Sequence, residues 1–144
     1  MAVVRAEREL LAPRADVWAL VSEPYHLPDW WPGYTGVRPD RRGLAEGARW
    51  TVLRSRAPGL LRRPGGESLI VLQRVDPTLE LRWLDVPQRI EAGIRLANAD
   101  TDRTLAVVSV EGPWWRLNVE GARRLPQHAL TRLHDLCQTA VKLQ

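Results

Sequence analysis

Arg54 is the residue of this sequence whose surroundings suggest chemistry most directly. The alternation over 48–56 predicts a strand, and that strand would place Arg54 on the same face as Trp50 and Val52. A guanidinium in an apolar interior is costly unless it is paired, so Arg54 would either pair with an internal acid or await an anionic or carbonyl-bearing ligand. If the strand instead ends or bulges before Arg54, the side chain lies in solvent.

His26 is a second candidate, as a general acid or base. It lies in a proline-rich connector near Tyr25 and Asp29, and an imidazole titrates near neutral pH. A single loop histidine can equally face solvent or form a local hydrogen bond. The sequence leaves these alternatives open.

A metal site is not expected. His134 and Cys137 lie one helical turn apart and could supply two ligands, but no third ligand at suitable spacing and no His-Glu-x-x-His pattern accompany them. Cys137 is the single cysteine, which excludes an internal disulfide, and the sequence has no nucleophile-elbow or phosphate-binding glycine motif. We therefore expect neither a metal nor a cofactor.

The composition is that of one soluble globular domain. The chain has 144 residues, of which 44% are hydrophobic and 26% charged, and these values exclude collagen-like, low-complexity and disordered classes. No apolar run approaches the about 20 residues that cross a bilayer, and charge follows the first residues too soon for a signal peptide. We expect a single domain over 1–144, located in the cytoplasm.

The basic charge does not by itself indicate a nucleic-acid partner. The net charge is +4, but 17 acidic residues are interspersed among the basic ones and no block of like charge forms a tail. Seven Trp residues with no Phe are the more unusual feature. An indole offers a large apolar face and one N–H donor, which suits either core filling or a cavity for a flat, apolar molecule.

Apolar periodicity predicts strands and helices in a definite order. A first strand over 3–11 precedes a short helix over 13–22, and the prolines of 23–33 leave room for at most a short second helix. The period then changes to two, and six further strands are predicted over 34–40, 48–56, 68–76, 79–86, 89–97 and 104–111. An amphipathic helix follows over 123–143.

Short links between these strands favour an antiparallel meander, because parallel neighbours need long crossovers. The longest link, 57–66, carries Leu60 and Leu61 beside Arg62 and Arg63. We interpret this link either as a mobile flap with an apolar tip or as an ordinary long hairpin.

Four segments resemble a known superfamily: Leu11–Ser22, Leu27–Gly33, Glu46–Trp50 and Val75–Trp83. Together with the element order, they resemble the START-like or Bet v 1-like (SRPBCC) superfamily, and within it the bacterial polyketide cyclases, dehydrases and lipid carriers. The resemblance implies an α+β helix-grip fold over the whole chain. In that fold a curved seven-stranded antiparallel sheet wraps around a long C-terminal helix, and two short helices lie between strands 1 and 2.

The resemblance also implies an internal cavity that binds a hydrophobic small molecule, such as a lipid or a polyketide-like, isoprenoid or aromatic compound. The residues expected to line it are Trp30, Trp31, Tyr34, Trp50, Val52, Arg54, Leu81, Trp83, Ile94, Leu130, Leu133 and Cys137. In the alternative interpretation, Trp50 and Trp83 fill the space that is empty in relatives.

Two further functions stay open. One is a polyketide aromatase, cyclase or dehydratase, for which the resemblance nominates Arg54, Tyr34 and His26 as the groups that assist enolisation. The other is a basic interaction module for RNA, a membrane surface or a protein. The protein would be a monomer or a homodimer, and dimerisation could use an exposed strand or the pair Trp114 and Trp115, because two adjacent aromatics cannot both point inward from one strand.

Overall fold

Seven antiparallel strands form one sheet in the computed structural model, which describes residues 2–54, 66–118 and 122–142. The strands are β1 (Ala2–Leu10), β2 (Tyr34–Arg38), β3 (Arg49–Arg54), β4 (Glu67–Asp76), β5 (Glu80–Asp85), β6 (Ile90–Asp100) and β7 (Arg103–Gly112). Their order across the sheet is β1-β7-β6-β5-β4-β3-β2. The meander of the last six strands is confirmed, and β1 pairs with β7.

The helices lie at the two places where the sequence predicts them, with one addition. Between β1 and β2 lie α1 (Arg14–Ser22), a 3-10 turn (Pro24–His26) and α2 (Leu27–Trp30); after β7 come α3 (Trp114–Leu117), a 3-10 turn (Ala122–Arg124) and α4 (Leu125–Lys142). The short α3 was not expected. Of the helices described, none is long and apolar enough to cross a membrane.

The long helix α4 packs on the concave side of the sheet. Its apolar face buries Ala129, Leu130, Leu133 and Cys137, and the helix contacts β1, β7 and α2. The helix-grip fold is therefore confirmed, because one amphipathic helix closes a curved sheet that cannot bury its own inner face.

A close approach between β5 and β6 requires glycine at Gly93. A Cβ atom at this position would lie 2.6 Å from the carbonyl oxygen of Leu81 and 3.1 Å from the Cα of Arg82. No side chain fits at that distance, so Gly93 permits the close approach of β5 and β6 at this position.

Several strands begin or finish at one end of the sheet, which we call the Asp85 end. Because neighbouring strands run antiparallel, β2, β4 and β6 begin there and β3, β5 and β7 finish there. The pairing places Tyr34 opposite Arg54, Ile90 opposite Asp85, and Gly112 opposite Ala2. Residues far apart in sequence therefore share this end.

Two sequence expectations have different outcomes. Leu60 and Leu61, with the proposed flap, lie outside the described residues. Trp114 and Trp115 do not occupy a strand at all: Pro113 precedes them, and both begin α3 with their side chains exposed.

We expect Gly93→Ala to lower the free energy of unfolding by about 2 kcal/mol, the usual cost of forcing extra atoms into a packed site. Urea unfolding followed by far-UV circular dichroism measures this change. Gly66→Ala is the matched control, since a Cβ there meets no atom within 4 Å. Equal stability of the two variants would contradict the steric role of Gly93.

Candidate functional site

A buried carboxylate, Asp85, is the centre of the polar cluster at the Asp85 end. The side chains of Leu81, Trp83 and Asp85 are buried because alternate residues of β5 face the interior. The Tyr34 hydroxyl donates to Asp85 Oδ2 at 2.8 Å, and Ser68 Oγ donates to Oδ1 at 3.3 Å. The backbone N–H of Gln88 also donates to Oδ1, at 3.3 Å. These donors offset the cost of removing the carboxylate from water.

Arg54 brings a positive charge to the same carboxylate. Its Nη2 lies 3.7 Å from Asp85 Oδ2, and its side chain is 30% exposed against 6% for Asp85. β3 continues as far as Arg54, which therefore lies on the same face of the strand as Trp50 and Val52. Of the orientations that the sequence leaves open, the structure shows the one in which Arg54 pairs with an internal acid.

The environment of Tyr34 keeps its hydroxyl protonated. Burial raises the pKa of Tyr34 well above 10.0, and the charge of Asp85 and the hydrogen bond to it raise it further. The Trp83 side chain and the positive charge of Arg54 act in the opposite direction, with less effect. Tyr34 is therefore a hydrogen-bond donor over the whole neutral range.

An aromatic cluster lies directly beside these polar groups. Trp30, Trp31 and Trp83 pack edge to face, with ring centroids 5.0 to 5.8 Å apart. Trp31 also packs beside Tyr34, with their ring centroids 6.5 Å apart. Edge-to-face contacts of this kind stabilise beyond simple area burial.

Two indole N–H groups in this cluster lack a conventional acceptor. Among the described residues, buried Trp30 Nε1 has no hydrogen-bond partner. Buried Trp83 Nε1 also has no acceptor in hydrogen-bond geometry, but it is close enough to the Tyr34 oxygen to lower the Tyr34 pKa. An N–H directed at a neighbouring ring is only weakly compensated. A ligand with an oxygen acceptor would gain from either donor, since leaving a buried donor unpaired is unfavourable.

The structure thus brings five of the expected residues together, namely Trp30, Trp31, Tyr34, Arg54 and Trp83. The others are buried in the same hydrophobic core: Trp50, Val52, Leu81, Ile94, Leu130, Leu133 and Cys137. Trp50 donates its indole N–H to the carbonyl of Gly43 at 2.8 Å, which attaches the β2–β3 connection to the core. Burial, followed by the charge of Asp16, raises the pKa of the Cys137 thiol.

His26 lies apart from the cluster. Its side chain is 47% exposed, and Nδ1 lies 3.0 Å from Asp29 Oδ2 on the surface of the connector. This is the local hydrogen bond that the sequence leaves open as one alternative. Within residues 2–54, 66–118 and 122–142, no three His, Cys, Asp or Glu side chains form a group that could hold a metal ion.

Sequence reasoning missed Asp85 and Ser68. The signal for Asp85 is present in the sequence, because Asp85 is two residues after Trp83 and therefore shares its face. An acidic residue at the end of a predicted strand can equally belong to the following turn. The alternation of inward and outward residues therefore does not by itself reveal the site. Ser68 has the same signal, because it is two residues before Ile70 and shares its face.

The curved sheet, the gripped helix and an interior with one polar end define a helix-grip protein of the SRPBCC superfamily. A family model described as "Polyketide cyclase / dehydrase and lipid transport" matches residues 1–134. The chain belongs to this family. No curated protein sequence matches it.

Solved structures show the same fold at low sequence identity. The protein XoxI from Bacillus cereus is 14% identical, with a TM-score of 0.74 and 96% of each chain covered. A START superfamily protein from Mycobacterium smegmatis is 13% identical, with a TM-score of 0.72 over 96% of this chain and 98% of that one. Norcoclaurine synthase from Thalictrum is 18% identical, with a TM-score of 0.62 over 96% and 95%.

Because the pKa of Tyr34 is raised, we expect the folded protein to lose stability at alkaline pH. In a Tyr25→Phe background Tyr34 is the only tyrosine, and we expect its tyrosinate absorbance to appear only well above pH 10.0. Because the folded-state pKa is raised, the contribution of Tyr34 to the free energy of unfolding should be constant below about pH 10 and fall as pH rises toward the folded value; the Cys137 thiol, whose pKa is also raised, should begin to lower stability from about pH 9. Absorbance titration and urea unfolding at several pH values measure the two effects.

Asp85→Asn in the same background should lower the Tyr34 pKa while burial still keeps it raised. Asp29→Asn, which removes a surface acid paired with His26, is the control and should leave the titration unchanged. A Tyr34 midpoint unaffected by Asp85→Asn would show that the two side chains are not coupled.

Proposed function

We propose that the protein binds or carries an apolar small molecule with an anionic or carbonyl-bearing end. The molecule would be a lipid or a polyketide-like, isoprenoid or aromatic compound. One observation supports this above all: Arg54, Tyr34 and Asp85 form a polar network directly beside the aromatic cluster of Trp30, Trp31 and Trp83.

The geometry around Asp85 suits Arg54 to ligand binding. The 3.7 Å separation of Arg54 Nη2 and Asp85 Oδ2 exceeds hydrogen-bond length, while Tyr34 donates to the same oxygen at 2.8 Å. Asp85 therefore attracts the guanidinium without forming a hydrogen bond to it. A carboxylate or carbonyl group of a ligand could accept hydrogen bonds from the guanidinium of Arg54. The site is partly dehydrated, and charge-assisted hydrogen bonds are strong in such a setting.

The apolar part of the ligand would contact the aromatic cluster, whose indoles are buried and packed on one another, so these side chains would have to separate to admit it. Burying apolar surface contributes about 25 cal/mol per Å², and the unpaired indole N–H groups of Trp30 and Trp83 offer additional donors. Family membership supports the same class of ligand, because the family description includes lipid transport. In this proposal Arg54 selects the polar end, and the tryptophans bind the apolar remainder.

Two fluorescent probes that differ in one charged group test the proposal. The first is 8-anilino-1-naphthalenesulfonate, and the second is N-phenyl-1-naphthylamine, the same ring system without the sulfonate. We expect both to bind saturably, and we expect Arg54→Gln to weaken the sulfonate probe about tenfold, the loss of one charge-assisted hydrogen bond. The neutral probe should be affected far less.

Arg38→Gln is the matched control, because Arg38 is an exposed residue of the neighbouring strand and pairs with Glu67 on the surface. It removes the same charge and should leave both affinities unchanged. Equal weakening of the sulfonate probe in both variants would count against a role for Arg54. Absence of saturable binding of either probe to the unaltered protein would refute the proposed function.

A second candidate, a polyketide cyclase or dehydratase, is favoured by one feature of the network. The Tyr34 hydroxyl is held protonated beside a carboxylate and a guanidinium, and by turning its single O–H from Asp85 to an enolising carbonyl it could donate a hydrogen bond to that carbonyl. We propose it as the alternative in which chemistry follows binding. Tyr34 would donate, and Arg54 would stabilise the developing negative charge.

Turnover of a poly-β-ketone thioester distinguishes the two functions. If the protein is an enzyme, Tyr34→Phe should lower the rate about a hundredfold, as for loss of a general acid, while the sulfonate probe still binds. Product formation by liquid chromatography and mass spectrometry measures the rate. His26→Ala should have no effect, since His26 pairs with Asp29 at the surface. No turnover by the unaltered protein leaves the binding function as the better account.

A further inference from the structure

The two exposed tryptophan side chains of the described chain lie on α3, outside the proposed ligand site. Trp114 is 65% exposed and Trp115 is 44% exposed. The guanidinium of Arg116 lies over the Trp115 ring, 4.8 Å from its centroid. A large apolar surface beside a cation is unusual on a solvated face and indicates a partner.

The local structure holds these rings outward. Pro113 precedes the helix, and Leu117, at its far end, is completely buried. The helix packs against β7 and against the 3-10 turn Ala122–Arg124, whose Ala122 is buried. Because Leu117 and Ala122 occupy the inner side, Trp114 and Trp115 have no room in the core.

Basic residues lie on α3 and on the segments that adjoin it. Arg116 lies on α3, and Arg123 and Arg124 are exposed on the 3-10 turn against which α3 packs. Arg89 is exposed in the β5–β6 turn, and its carbonyl oxygen lies 3.1 Å from where a Cβ of Gly112 would be. We call the surface formed by Trp114, Trp115, Arg89, Arg116, Arg123 and Arg124 the α3 face. The acids Glu91 and Glu111 are half-buried and face each other across β6 and β7.

The α3 face belongs to the Asp85 end of the sheet. α3 starts directly after Gly112, where β7 finishes, and Arg89 precedes Ile90, which pairs with Asp85. Val86, which follows Asp85, is also 42% exposed. Whatever binds the α3 face therefore approaches the end of the molecule that carries Tyr34, Arg54 and Asp85.

We propose that the α3 face docks on an anionic phospholipid surface. Tryptophan side chains partition into the interface between headgroups and acyl chains, since an indole is apolar with one polar edge. Each arginine near such a surface contributes about 1 kcal/mol. The α3 face combines both features, and its positive charge complements the negative charge of the lipid headgroups.

Self-association through the same surface is disfavoured by charge. A two-fold symmetric dimer places the same patch of both copies together. The arginines of the α3 face, Arg89, Arg116, Arg123 and Arg124, would then oppose those of the second copy. An anionic lipid surface has the complementary charge, so it is the occupant to which the proposal commits.

Co-sedimentation with vesicles tests the proposal. We expect the unaltered protein to bind vesicles of phosphatidylcholine mixed with phosphatidylglycerol, to bind phosphatidylcholine alone far less, and to dissociate as salt is added. Trp114→Ser with Trp115→Ser should weaken binding at least about tenfold, because interfacial burial of two indoles is lost. Tyr25→Ser, which removes an exposed aromatic side chain elsewhere, is the control.

Two triple variants separate the effect of the arginines of the α3 face from the effect of net charge. Replacing Arg116, Arg123 and Arg124 by Gln should weaken vesicle binding about a hundredfold, from about 1 kcal/mol for each residue. Replacing Arg41, Arg42 and Arg49, which are exposed near the opposite end of the sheet, removes the same charge and should have little effect. Quenching of Trp fluorescence by brominated lipid gives a readout on the unaltered protein and should disappear in the Trp114/Trp115 double variant.

Three results would overturn the proposal: equal losses in the two arginine triples, vesicle binding unchanged in the double tryptophan variant, or a stable dimer in sedimentation velocity that this variant abolishes. The naphthalene probes keep this test separate from the proposed function. Trp114 and Trp115 lie outside the ligand site, so the double variant should bind both probes normally whichever way the vesicle experiment turns out.

Discussion

A carboxylate removed from water must be compensated, and much of the Asp85 end of the sheet is organised around that requirement. Asp85 accepts hydrogen bonds from Tyr34, Ser68 and the backbone of Gln88, and Arg54 supplies the opposite charge. These residues come from β2, β4, the β5–β6 turn and β3, so the carboxylate ties together elements that are distant in sequence. Burial, with the charge of Asp85 and the hydrogen bond to it, raises the pKa of Tyr34 and keeps its hydroxyl protonated.

The helix-grip architecture explains why this polar cluster lies beside an aromatic one. A sheet that curves around a single helix leaves its inner face to be covered by side chains, and α2 contributes Trp30 to that layer. Trp31 and Trp83 complete a contact that reaches Tyr34. Family membership supports binding of a hydrophobic molecule, and the proposed preference for one polar end rests on the position of the polar cluster beside the aromatic one.

The proposed docking surface and the proposed ligand site complement each other. Both lie at the Asp85 end, because β7 finishes there and leads into α3 while β5 finishes there with Asp85. Under the two proposals, a molecule taken from a lipid surface would enter at the end of the sheet that also carries Arg54. The two proposals nevertheless rest on separate residues and are tested by separate variants.

The periods of two and 3.6 in the amino-acid sequence predicted the seven strands, the first helix and the terminal helix in their order, because each period depends on which face of an element is buried. The resemblance carried by four segments implied the helix-grip fold, and α3 was not predicted. The sequence also placed Arg54 on the same face as Trp50 and Val52. It could not assemble the site, since Tyr34 and Asp85 are 51 residues apart and meet only through strand pairing. Nor could it place Trp114 and Trp115: tertiary packing decided that Leu117 enters the core and that both indoles stay outside.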